Sequence, residues 1–141
     1  MQQSVPTTEG TFRALRKVHL IMLLSVFPYV WLAERAVRHI HHSPDRGFAL
    51  AIELLAATSI VAAMILRTTL IQPALDVLRT KTDDKVSLVR WRSCSILSYI
   101  MAEVVVVFGF EMRILGATLT QSAAFYISGI VLMLFLRPRK P

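Results

Sequence analysis

Two glutamates, Glu53 and Glu103, interrupt stretches of sequence that are otherwise apolar. A charged side chain at the centre of a membrane costs at least about 2.5 to 3.5 kcal/mol on insertion scales, so each position raises a functional question. A desolvated carboxyl holds its proton more tightly and can bind and release a proton or a cation. The alternative is that each carboxyl is protonated or hydrogen-bonded to a neighbouring helix and only packs. Tyr99, one helical turn before Glu103, is a candidate donor for such a bond.

The apolar stretches around these glutamates predict membrane-spanning helices. A span needs about 20 mostly apolar residues. Four stretches come close to that length: residues 16–35, 48–67, 92–111 and 116–136. With 55% hydrophobic and 18% charged residues, they predict an all-α integral membrane protein, an antiparallel four-helix bundle over residues 15–137. We expect residues 1–14 to form a disordered cytoplasmic tail and residues 138–141 a short second tail.

The first apolar stretch has an alternative interpretation as a cleaved signal peptide, because basic residues precede it. Its apolar part is long for such a segment and contains Pro28, Tyr29 and Trp31. No small-residue cleavage site follows it. These features favour a retained span.

The distribution of basic residues predicts the orientation of the spans. Twelve of the sixteen Lys and Arg residues lie in the two tails and in the connection after the second span, and four lie in the other two connections. Basic segments resist translocation, so both termini and residues 68–91 are expected in the cytoplasm, at the inner membrane of a bacterium. Five residues that flank the spans are expected to contact anionic lipid headgroups: Arg90, Arg92, Arg137, Arg139 and Lys140. Because the charges alternate with apolar spans, nucleic-acid binding is not expected.

Helical spacing gives a further expectation for the two carboxylates. Counted from the outer ends of their spans, Glu53 and Glu103 lie about 9 and 12 Å deep, so antiparallel neighbours would bring them to a similar level. Glu53 shares its helix face with Ala56 and Ala57, which predicts that it points inward.

In the connection that follows the second span, Pro73 is expected to bend the helix that precedes it. Residues 82–84 are expected to form a turn and the N-cap of the third span.

Residues 101–110 read Met-Ala-Glu-Val-Val-Val-Val-Phe-Gly-Phe, in which a membrane carboxylate is followed by aliphatic residues, an aromatic residue and a glycine. This string resembles the ion-carrying helix of the rotary ATP synthase c subunit. The Gln72-Pro73 pair is similar to part of that family's cytoplasmic loop. The resemblance covers about ten residues, and it implies an ion-carrying role for Glu103.

Metal and cofactor sites are not favoured by the sequence. His39, His41 and His42 lie near Asp45 and are of the ligand type for zinc or copper, but their spacing does not preset a tetrahedral shell, so a solvated loop is expected. A haem held between helices would usually need two axial ligands, and His19 is the one histidine in a predicted span. Cys94 is the only cysteine, which excludes a disulfide within the chain. We expect neither a metal nor a cofactor.

Enzymatic activity is not favoured, because the motifs of serine hydrolases, zinc proteases, P-loop proteins and dinucleotide-binding proteins are missing from the sequence. The sequence therefore predicts a small non-catalytic subunit or oligomeric bundle of a membrane complex. Its expected partners are membrane lipid and either further copies of the chain or the other subunits of a larger complex. The alternative is a protein that translocates protons or cations through its membrane carboxylates. A membrane enzyme acting on lipid or quinone ranks last.

Overall fold

The computed structural model describes residues 7–37, 44–82 and 84–140. In these ranges the chain is all-helical and contains no strand, as predicted. The helices are α1 (Thr8–Val37), α2 (Arg46–Leu66), α3 (Gln72–Thr80), α4 (Lys85–Ile114) and α5 (Leu119–Phe135). A π-helical turn joins α2 to α3, so Arg46–Thr80 is one continuous segment and the described ranges contain four such segments. Three of them are long and apolar enough to cross a membrane, and α5 is a shorter apolar helix of 17 residues.

The first helix begins earlier than the sequence predicted. The prediction of a disordered tail is wrong for residues 8–14, because these residues form the start of α1. The Thr7 hydroxyl accepts a hydrogen bond from the Gly10 backbone N–H at 3.2 Å, and Arg13 pairs with Glu9 at 2.7 Å. These local bonds satisfy groups at an exposed helix end, which is why the helix extends beyond its apolar part.

The turn between α2 and α3 follows from one proline. Pro73 has no backbone N–H, and its ring would collide with the carbonyl group four residues earlier in a regular α-helix. The turn widens instead, and the Gln72 N–H bonds to the Arg67 carbonyl oxygen, five residues back. The predicted disturbance at Pro73 is therefore confirmed. The wide turn begins at Arg67, whose side chain is buried.

Local capping also accounts for the ends of α4. The Asp84 carboxylate accepts a hydrogen bond from the Ser87 backbone N–H at 2.9 Å, which confirms the predicted N-cap. Hydrogen bonds from the Ser87 side chain and backbone lower the pKa of Asp84. At the other end, Gly116 adopts φ 95°, in the left-handed region that glycine enters at little cost. This turn reverses the chain directly into α5.

Helix α4 lies at the centre of the fold and packs against α1, α2 and α5. The side chains that are fully buried come largely from this helix and include Trp91, Ser98, Tyr99, Val105, Val106 and Met112. Two glycines let α4 and α5 approach closely, because Gly109 faces Tyr126 and Gly129 faces Val106 and Ala102. The backbones of these two helices are therefore nearly in contact.

The contacts between helices also give their directions. Ser25 of α1 meets Glu103 of α4, and further along both helices Glu34 meets Arg113, so α1 and α4 run parallel. The glycine contacts pair the end of α4 with the start of α5, so those two helices run antiparallel. In α2, Ile52 packs near Met112 and Ala117 at one end, and Arg67 contacts Phe135 at the other. Helix α2 therefore runs in the same direction as α5 and antiparallel to α4.

One end of the molecule gathers the segments that are rich in Lys and Arg, and we call it the basic end. The start of α1 lies beside the start of α4 there, since the Thr8 hydroxyl donates to the Thr82 carbonyl oxygen at 2.7 Å. The end of α3 and the residues after α5 meet at the same place, where Arg79 and Lys140 line one depression. The start of α1, the end of α3 and the residues after α5 thus lie at one end of the helices.

Candidate functional sites

Glu103 lies half-buried on α4 and faces α1. Its Oε1 is 2.9 Å from the Ser25 Oγ, and the same Oγ is 2.6 Å from the Met22 carbonyl oxygen. A serine hydroxyl carries one proton, and a carbonyl oxygen can only accept, so Ser25 donates to one of these two oxygens at a time. When Ser25 donates to Met22, the contact with Glu103 is a hydrogen bond only if Glu103 is protonated and donates. The contact between α1 and α4 can therefore form with Ser25 donating to Glu103 or with Glu103 donating to Ser25.

Tyr99 does not form a hydrogen bond with Glu103, although it precedes Glu103 by one helical turn. Side chains on a helix tilt toward its N-terminus, so the ring extends from α4 toward the basic end, away from Glu103. Tyr99 is 1% exposed, and its ring meets His19 edge-on at 5.3 Å between ring centroids. Its hydroxyl has no hydrogen-bond partner among residues 7–37, 44–82 and 84–140. The predicted bond between Tyr99 and Glu103 is absent from these ranges.

Glu53 is exposed, whereas helical spacing predicted that it points inward. The buried face of α2 is centred on Ile52, Ala56 and Ala63 and is rotated away from the face chosen from the sequence. Glu53 therefore sits at the edge of a groove between α2 and α5, with Val105 of α4 at its floor. Ile52, the neighbour of Glu53, packs near Met112, which lies nine residues beyond Glu103 on α4, so the two glutamates do not share the expected level. They also lie on different sides of α4.

This groove, which we call the α2/α5 groove, has a volume of about 370 Å³. Its walls carry small side chains, Ala56 and Ala57 from α2 and Ala124 and Ser128 from α5. Three further residues complete its lining: Ile60, Gln121 and Phe125. Small side chains on two facing helices leave room for another backbone to approach closely.

All five residues expected to contact lipid headgroups are exposed, and they include Arg90 and Arg92 on the first turns of α4. Arg137 and Arg139 follow α5 and also line a cavity of about 200 Å³ at the basic end, which we call the basic cavity. Arg67 and Arg79 contribute two more guanidinium groups to it, and Asp76 contributes the one carboxylate among its lining residues. Asp76 pairs with Arg79 at 3.2 Å.

Arg67 is the buried member of the basic cavity, at 8% exposure. Its guanidinium lies over the Phe135 ring at 3.9 Å, and its Nη1 donates to the Phe135 carbonyl oxygen. That carbonyl lies at the end of α5, where the carbonyl groups lack partners within the helix and the helix dipole favours a cation. In the sequence, Arg67 is one of several basic residues near the connection, and this role is not evident there. The available signal in the sequence was Pro73, six residues later, since a proline inside a helix disturbs the turn before it and π-helical turns often mark functional sites.

A second ion pair joins α1 to the end of α4. The Arg113 Nε donates to Glu34 Oε1 at 2.7 Å, and its Nη2 donates to Glu34 Oε2 at 3.0 Å. The third nitrogen, Nη1, donates to the Ala117 carbonyl oxygen at 2.8 Å. A bidentate pair of this kind restricts the relative orientation of the two side chains and also stabilises their contact. Neither residue stands out in the sequence, because the two are 79 positions apart.

The candidate metal ligands give no cluster in the part of the chain that the structure describes, where no three His, Cys, Asp or Glu side chains lie close enough to hold a metal ion. His39, His41 and His42 lie outside the described residues. Asp45 caps the N-terminus of α2 by accepting bonds from Gly47 and Phe48. His19 is buried beside Tyr99.

No protein-family model, no curated protein and no solved structure matches this chain. Its function must therefore be inferred from its own residues. The features that bear on function are the α2/α5 groove, the Ser25–Glu103 contact and the basic cavity.

Proposed function

We propose that this chain is a four-span integral membrane protein, an antiparallel four-helix bundle that serves as a non-catalytic component of a larger membrane assembly. Its surface supports the membrane assignment, because large apolar side chains such as Phe27, Leu54 and Ile127 are 60% exposed or more. Contiguous apolar surface on a soluble protein would drive aggregation, whereas lipid chains accept it. Helix α5 is about 25 Å long, so it would span with local thinning of the bilayer.

The proposed orientation places the basic end in the cytoplasm of a bacterial cell, with both termini on that side. The clustering of the basic tails and the long connection at one end supports this orientation, because those segments resist translocation. In that position Arg90, Arg92 and Lys140 would meet anionic headgroups. The Glu34–Arg113 pair would then lie near the outer surface.

The observation that carries the assembly proposal is the exposed carboxylate of Glu53 beside the small-residue walls of the α2/α5 groove. A carboxylate that faces lipid inside a span is unfavourable by about 2.5 kcal/mol or more, so a covering polar group is expected there. Ala57 and Ala124 leave space for a helix backbone, and Gln121 adds a second polar group. A further transmembrane helix, from another subunit or another copy, fits these properties.

The test is gentle-detergent purification of the tagged protein from native membranes, read by native mass spectrometry. We expect a second membrane polypeptide or a second copy at fixed stoichiometry. Ala57→Trp would fill the groove and lower recovery of that partner about tenfold, since overpacking a contact costs about 1–3 kcal/mol. Leu54→Trp is the matched control, because Leu54 is 67% exposed on α2 and does not line the groove.

Two outcomes would contradict the assembly proposal. One is a wild-type protein that is monomeric and free of other polypeptides in native-like detergent. The other is equal recovery of the partner with Ala57→Trp and Leu54→Trp, which would mean that the partner binds elsewhere.

The Ser25–Glu103 contact favours a second candidate, translocation of protons or cations. A carboxyl that is satisfied in its neutral form can take up and release a proton at membrane depth. In liposomes containing the purified protein, Glu103→Gln should abolish carbodiimide-sensitive proton flux, while Glu53→Gln, on the other side of α4, leaves it intact. Equal flux through wild-type protein and Glu103→Gln would exclude this function.

A further inference from the structure

We propose that the basic cavity binds the phosphate group of an organic phosphate, at the level where the helices meet the cytoplasm. The cavity lies between the π-helical turn, α3, α4 and the residues after α5. It is separate from the α2/α5 groove and from Glu103, and the proposal does not depend on either.

The charge balance of the cavity favours an anion. The negative charge of Asp76 is balanced by Arg79, with which Asp76 forms an ion pair at the cavity rim. Arg67, Arg137 and Arg139 have no carboxylate within ion-pair distance among the residues that the structure describes. Three guanidinium groups with no carboxylate to neutralise them, one of them buried, form a site for a multiply charged anion.

The guanidinium of Arg67 is oriented by its neighbours and keeps unused hydrogen-bond donors for such a ligand. Its Nη1 and its flat face are engaged by the Phe135 carbonyl oxygen and ring, which orients the guanidinium. No acceptor in the described ranges takes a hydrogen bond from its Nε or Nη2. Phosphate oxygens accept such paired N–H donors.

Tyr99 supplies an independent observation. The Tyr99 side chain lines the cavity, and its hydroxyl is buried and has no partner in the described ranges. A buried hydroxyl without a hydrogen bond costs about 1–3 kcal/mol, and a phosphate oxygen in the cavity would remove that cost. Trp91, 1% exposed, forms the adjoining wall.

The size of the cavity limits the ligand. At about 200 Å³ it is smaller than the roughly 300 Å³ at which pockets for drug-sized ligands begin. It holds a phosphate group with a short attached chain, and it excludes a whole nucleotide. That chemistry is shared by an anionic lipid headgroup and by a small soluble phosphate ester.

The binding experiment uses the full chain in phosphatidylcholine nanodiscs, with Trp31→Phe so that Trp91 is the one remaining tryptophan. In one arm glycerol 3-phosphate is added to these discs at constant ionic strength. In the other, phosphatidic acid is incorporated into the discs. We expect a saturable change in Trp91 fluorescence in at least one arm, and the arm that responds identifies the source of the phosphate.

Tyr99→Phe should weaken the responding arm about tenfold, because a hydrogen bond to a charged acceptor is lost while the ring remains. Tyr126→Phe is the matched control, since the Tyr126 hydroxyl is also buried without a partner in the described ranges but lies outside the cavity. Arg137→Gln with Arg139→Gln should also weaken binding tenfold or more. Both positions are exposed, so the fold is expected to persist, and circular dichroism checks this.

The proposal is overturned if neither arm gives a saturable response. It is also overturned if Tyr99→Phe and Tyr126→Phe bind equally well, because the response would then arise outside the cavity.

Discussion

Replacing Gly129 by leucine should prevent the helices from packing and leave no monodisperse folded protein in detergent. A Cβ atom at this position would lie 2.4 Å from the Val106 Cγ2 and 3.1 Å from the Ala102 carbonyl oxygen. The second of these neighbours is backbone, which cannot move aside without separating α4 from α5. Because α1 and α2 also pack against α4, that separation would disrupt the whole core.

The smaller change Gly129→Ala allows the effect to be measured. Overpacking costs about 1–3 kcal/mol. In a chain of this size, each kcal/mol corresponds to a melting temperature lower by about 2–4 °C. Adding Val106→Ala removes the closest contact and should restore part of the loss, since the Ala102 carbonyl remains near. Thermal unfolding in detergent, followed by circular dichroism, gives these values.

The control for this series is Gly47→Ala, at the exposed start of α2, where the nearest atom to a new Cβ is the Asp45 carboxylate oxygen. Helix propensity favours alanine there, so the melting temperature should stay the same or rise slightly. Equal melting temperatures for Gly129→Ala and Gly47→Ala would contradict the close approach of α4 and α5.

Reversing the charge of Arg113 should have the second large effect. Arg113→Glu removes three hydrogen bonds, two to Glu34 and one to Ala117, and sets two carboxylates against each other. The Arg113 side chain is 14% exposed and that of Glu34 is 42% exposed, so solvent screens the interaction between their charges only in part. We expect a loss of about 2 kcal/mol, the scale of hydrogen bonds to charged groups.

The double variant Glu34→Arg with Arg113→Glu should recover most of this loss, because it restores an opposite pair. Arg13→Glu provides the control: its pair with Glu9 joins the same residue types, but both side chains are more than half exposed. Exposed pairs contribute about 0–1 kcal/mol, so this variant should change stability little. Equal effects of Arg13→Glu and Arg113→Glu in thermal unfolding would contradict a structural role for the Glu34–Arg113 pair.

The sequence alone was sufficient for the features that depend on neighbouring residues. Hydropathy predicted the apolar helices, Pro73 predicted the disturbance after α2, and the acidic turn before α4 predicted its cap at Asp84. These features depend on hydrogen bonds and apolar surface within a few residues, so their causes can be read along the chain.

The tertiary structure decided the rotation of each helix about its own axis, and with it every candidate site. The close contacts at Gly109 and Gly129 turn α4 and α5 so that α4 is central, and Glu103 then faces α1 while Glu53 stays exposed beside the α2/α5 groove. Tyr99 points toward the basic end and shares a cavity with Arg67, from which it is separated by most of the long connection in sequence. A hydrophobic pattern specifies which face of a helix is apolar, but not which neighbour that face meets, because packing in lipid depends on backbone proximity and not on exclusion of water.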